Sequence, residues 1–187
     1  MEADTPTERP TTSRDSGHEL DIWKHFSASA STDKHTMITT VTWLLGFSIG
    51  AVAYAITKLI RSERPPFVEY PGQTVMISVA GMAISALAAY VTLLYAGYAS
   101  RNWAKADAIA IENKWTDLLP NPGEPVGSNV SSLTKIAWRL GRGVDHQREI
   151  PPVFRVFFFG AIAVLTVNLV LFLWAAAALV ILPPRSA

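Results

Sequence analysis

The apolar positions of this chain are gathered into three long blocks, and most of the charge lies between them. The last block, 156–182, runs 27 residues without a charged side chain. As a helix at ~1.5 Å per residue it is about 40 Å long, more than the ~30 Å hydrocarbon core of a bilayer. Arg155 stands before it, and Pro183, Pro184 and Arg185 close it. Two further blocks, 37–60 and 74–99, are long enough to cross as well. The only charge in either is Lys58, near one end, where its stem can snorkel. The pattern predicts an all-α, three-span transmembrane protein. Its third span occupies 153–182 once the lead-in from Ile150, Pro151 and Pro152 is included.

Helical periodicity continues outside the blocks. Ala104, Ala108, Ile111, Trp115 and Leu118 extend the stripe of the second span, with Lys105, Asp107, Glu112, Lys114 and Asp117 on other faces. One helix is therefore expected from about 74 to about 119, ending where Pro120 and Pro122 cannot continue it. Residues 16–35 form a separate juxtamembrane amphipathic helix in this reading. Ser16-Gly17-His18-Glu19 fits a capping box, and Ile22, Phe26 and Ala30 follow at helical spacing. Residues 131–141 predict a short basic helix capped by Ser131 or Ser132, with Leu133, Ile136, Ala137 and Leu140 on its apolar side. Residues 1–15, rich in Thr, Ser, Pro and charge, are expected to form a disordered tail.

Charge adds an orientation. Three spans place the N-terminal tail and the 101–152 segment on one side, with twelve of the 16 Lys and Arg residues. The positive-inside rule puts that side in the cytoplasm and the C-terminus outside a plasma or inner membrane. The 101–152 segment is then a small cytoplasmic helical part. The formal net charge is +1, which implies no affinity for nucleic acid. Cysteine is absent, so thiol chemistry and cysteine-held metals are excluded.

Candidate chemistry is sparse. His18, His25, His35 and His146 show no metal-ligand spacing, no nucleophile elbow is present, and no carboxylate, Lys, Arg or His lies deep in a span. No cofactor, metal or enzymatic activity is expected. Three sets of residues do stand out. Thr42, Gly46 and Gly50 in the first span, with the G-x-x-x-G spacing, and Gly81, Ser85 and Ala89 in the second form small-residue stripes suited to helix packing. Ser48, Ser85 and Asn168 fall at the centres of the three spans and predict a midplane polar layer, because an unpaired amide facing lipid would cost several kcal/mol. Lys135, Trp138, Arg139 and Arg142 suit an anionic membrane surface.

These features favour a small membrane subunit or effector that acts on or within the lipid bilayer. It would form a homo-oligomer or join a membrane-protein partner, with a membrane-disrupting or pore-forming version as the sharper form. The alternative is an accessory subunit of a transporter or channel. A lipid-modifying enzyme comes third, since no catalytic set is visible.

Overall fold

The computed structural model describes residues 13–61, 70–119, 131–141 and 149–181. They form four α-helices, α1 (Ser13–Arg61), α2 (Pro71–Glu112), α3 (Ser132–Leu140) and α4 (Pro152–Ile181), with one short 3-10 turn at Thr116–Leu118. No strand occurs among the described residues. α1, α2 and α4 are each long and apolar enough to cross a membrane, which marks an integral membrane protein with three candidate spans. In lipid only a helix or a closed barrel satisfies every backbone group internally, and these sequences take the helical solution.

α2 is the central helix. α1, α3 and α4 all pack on it, and α1 and α4 touch each other over a shorter stretch. The packing is the reverse of a soluble bundle. Large apolar side chains such as Trp43, Phe47, Phe159 and Val180 point outward. The interior between the spans is rich in small residues, Ala88, Ala96, Ala99 and Ala161 with Ser48, Ser78, Ser85 and Thr92, while larger side chains such as Met37, Val41 and Phe154 are buried toward one end. Lipid supplies no hydrophobic drive between helices, so small residues that bring backbones close do the holding. Thr92 spends its hydroxyl on the Ala88 carbonyl of its own helix at 2.8 Å, which lets it be buried without a partner elsewhere.

Several boundaries differ from the expectation. The 16–35 and 37–60 helices are one unbroken helix of 49 residues, about 74 Å long, that starts at Ser13 inside the expected tail. No proline or glycine pair interrupts 31–37, and Asp33 is held at the junction by the Asn102 amide, which donates to it at 3.0 Å. The rest of the tail, 1–12, lies outside the described residues. α2 starts at Pro71, three residues before the expected point; proline suits the first helical position, where the missing N–H is not needed.

α2 also crosses the expected membrane exit without a break but stops at Glu112, short of 119. Lys114 adopts a left-handed backbone with φ 57°. Trp115 N–H then bonds the Ala110 carbonyl at 2.8 Å, and Lys114 N–H bonds that of Ile111 at 3.1 Å. This pair is the Schellman arrangement, which closes a helix without waiting for a proline. Trp115 and Leu118 consequently leave the stripe that Ala104 and Ala108 share.

Beyond the spans α1 and α2 remain paired. Ala30 is buried on α1, Ala106 and Ala110 on α2. The Lys105 ammonium stands 4.9 Å from the centre of the Phe26 ring. Together they make an antiparallel two-helix extension.

Candidate functional site

The three spans meet at one polar layer. Ser48 on α1, Ser85 on α2 and Asn168 on α4 are all fully buried. Ser48 Oγ donates to the Gly81 carbonyl at 3.1 Å. Its proton is then committed, so the 2.9 Å contact with Ser85 Oγ has Ser85 as donor. Ser48 accepts a second bond, at 3.2 Å, from Asn168 Nδ2. The other Asn168 amide proton goes to the Val164 carbonyl one turn back at 2.9 Å. Every hydroxyl and both amide protons are satisfied within one chain. The exception is Asn168 Oδ1, which is buried without a hydrogen-bond donor.

That oxygen lies against Gly81. A Cβ at Gly81 would overlap Asn168 Oδ1 and Cγ, so only glycine admits the amide here. The α-carbon hydrogens of Gly81 are the groups that face it, and such C–H···O contacts recur where membrane helices touch. Gly81, Ser85 and Ala89 are thus the stripe on which α1 and α4 close, and all three are buried.

The other stripe is placed differently. Thr42, Gly46 and Gly50 are exposed, and a Cβ added at either glycine would meet nothing within 4 Å. As a packing stripe inside the molecule this set is corrected: Ser48 and Val41 turn the opposite face of α1 inward.

A second construction holds α3 to the bundle. Gly97 on α2 and Gly141 at the end of α3 touch backbone to backbone, and a Cβ on Gly97 would overlap the Ala137 carbonyl. One turn away Trp138 is buried, its indole N–H donating to Ser100 Oγ at 2.8 Å. A membrane-surface role for Trp138 is therefore corrected: the ring is an inward peg, because the glycine crossing draws that side of α3 onto α2. Lys135 and Arg139 do face outward, with Ile136 exposed between them. Arg142 lies outside the described residues.

The N-terminus of α3 is fixed by Glu149. Ser131 caps the helix, with Thr134 N–H donating to its hydroxyl at 3.3 Å. Glu149 accepts from the Ser131 and Thr134 hydroxyls, each at 2.6 Å, and from Ser131 N–H at 3.1 Å. The Arg155 guanidinium completes the set. Burial alone would raise the Glu149 pKa. The donors from Ser131 and Thr134, with Arg155 beside them, outweigh it and hold the carboxyl below its usual range.

Sequence reasoning brought Ser48, Ser85, Asn168, Gly81 and Ala89 forward. It missed Gly97 with Gly141, Ser100 with Trp138, and the Glu149 cluster. A signal for the first existed: Gly97 extends the 81, 85, 89 series by two further steps of four. Glu149 carried none, since its two hydroxyl donors lie 15 and 18 residues away along the chain.

No group of three metal-ligating side chains occurs among the described residues. No known protein family, curated protein or solved structure matches this chain.

Proposed function

We propose that the protein is a small multi-pass membrane subunit, not an enzyme, which self-associates through the Thr42–Gly46–Gly50 face of α1. One observation carries this reading. Of the two small-residue stripes, Gly81–Ser85–Ala89 is consumed by packing inside the molecule, whereas Gly46 and Gly50 remain open on the outer face of α1. Exposed Trp43 and Phe47 flank the two glycines and would form the walls of a close helix crossing. The layer around Asn168 supports a packing role over a pore: its amide is used within the monomer, and a ring of such residues cannot also line a channel between monomers. The basic end of the bundle faces the cytoplasm in this reading, on the positive-inside rule.

The test is the oligomeric state of the full chain in liposomes, read by single-molecule photobleaching over a range of protein-to-lipid ratios. The wild type is expected to populate dimers or larger assemblies, and Gly46→Ile with Gly50→Ile to shift it to monomers at unchanged thermal stability. A wild type that stays monomeric at every ratio overturns self-association. If a membrane partner then copurifies and is lost in the double variant, the face serves that partner, and the protein is an accessory subunit of a transporter or channel.

A further inference from the structure

We infer that the end of the bundle that carries α3 is a binding collar for anionic phospholipid headgroups, built from Lys34, Arg101, Arg139 and Arg155. The inference rests on the three spans and not on the self-association above.

The argument begins with height. The Ser48–Ser85–Asn168 layer marks one level across all three spans. Lys34 is fourteen residues along α1 from Ser48, hence about 21 Å away at ~1.5 Å per residue. Arg155 is thirteen residues along α4 from Asn168, about 20 Å on the same measure. Arg101 is sixteen residues along α2 from Ser85, about 24 Å. Arg139 adjoins Trp138, whose indole is bonded to Ser100, so α3 brings a fourth cation to the level of Arg101. The hydrocarbon of a bilayer reaches ~15 Å from its centre and the headgroups ~20–22 Å. Lys34 and Arg155 therefore stand at headgroup height, and Arg101 and Arg139 just beyond it, within reach of the headgroups by their long side chains.

Charge and hydrogen bonding point the same way. Among the described residues two acids share this level, and both are engaged: Asp33 accepts from Asn102, and Glu149 is held by Ser131, Thr134 and Arg155. The surplus is positive. Arg101 Nε and Arg155 Nε are shielded from water and donate to nothing among the described residues. Both side chains are part-exposed overall, so a lipid phosphodiester would meet the exposed part of each guanidinium and not the sealed Nε. Arg139 and Lys135 lie on the open side of α3 with Ile136 between them, the basic and apolar mixture that suits the same boundary.

The experiment uses the full chain, purified in a neutral detergent, with native mass spectrometry counting bound lipid. Phosphatidylglycerol and phosphatidylcholine of matched chains are offered in equal amounts, and inorganic phosphate is offered alone as a control. Phosphatidylglycerol is expected to be retained preferentially. Arg101→Gln with Arg139→Gln, which leaves the Arg155–Glu149 pair intact, should lower that preference by about five-fold or more, given the usual contribution of a basic side chain at an anionic surface. Arg101→Lys with Arg139→Lys should keep most of it. Equal retention of the two lipids by the wild type overturns the collar, as does a preference unchanged in the glutamine variant. Inorganic phosphate that binds alone and displaces the lipid overturns the lipid as its ligand. Should the glutamine variant fail to fold, salt dependence in the wild type decides: a preference that survives high salt is not electrostatic and sinks the proposal.

Discussion

Asn168 Oδ1 on α4 rests against the α-carbon of Gly81 on α2, with no room for a methyl group between them. The contact explains why an asparagine can lie at the centre of the most apolar helix. Its two amide protons are used on Ser48 and Val164, and its oxygen is sealed by a glycine.

Gly81→Ala should therefore lower the stability in detergent by about 1–3 kcal/mol if the overlap is relieved by small shifts. Asn168→Leu, with the same branched outline but bulkier methyl groups and no hydrogen bonds, should cost at least the ~0.6–2 kcal/mol of the lost hydrogen bonds. The two effects are coupled through one contact. In an Asn168→Ala background Gly81→Ala should lose most of its penalty, as a double-mutant cycle would show. Additive penalties would mean that the two residues do not meet.

The hold of α2 on α3 depends on a glycine pair. Gly97→Leu should free α3, seen as faster hydrogen exchange across 132–140, while α1, α2 and α4 keep their protection. Trp138→Phe removes the bond to Ser100 together with part of a buried ring, so its cost should exceed the ~0.5–1.5 kcal/mol of a hydrogen bond alone. Similar exchange rates in Gly97→Leu and wild type would show that α3 is held elsewhere.

Glu149 gives the anchoring of α3 a defined pH dependence. Its carboxyl is held below the usual value of 4.5 in the folded protein, so the folded state binds its proton less readily than the unfolded one. The contribution is fully present above the unfolded value and is lost as pH falls through the lower folded value. Protection of α3 should thus weaken as pH falls below about 4.5 and through the lower folded value. Glu149→Gln should remove that dependence and leave α3 looser throughout. A dependence that persists in the glutamine variant would assign it to another group.

The absence of cysteine makes topology directly testable. Single cysteines at Gly17, Gly72 and Lys114, all exposed positions, report three points along the chain. With the basic end inside, an impermeant thiol reagent should label Gly72→Cys in intact cells and leave Gly17→Cys and Lys114→Cys unlabelled until lysis. The opposite pattern reverses the orientation.

Much of this architecture is readable in one dimension. Apolar runs such as 156–182 satisfy their own backbone and must be helical in lipid, so the three spans follow from composition and length. The polar layer was legible too, because Ser48, Ser85 and Asn168 sit at the centres of their runs and antiparallel helices of similar length align their centres. Helix ends were less so. Lys114 takes a left-handed conformation that no glycine announces, and Asp33 and Asn102 meet across 69 residues to continue α1 through a polar stretch. Which stripe of small residues closes the bundle was not written in the stripes themselves. Gly46–Gly50 and Gly81–Ser85 are equally narrow; the hydrogen bonds of Ser48 and Asn168 turned the second inward and left the first outside. Facing of this kind is a property of the assembled helices, since a helix offers its small residues on one face but cannot choose which neighbour meets it.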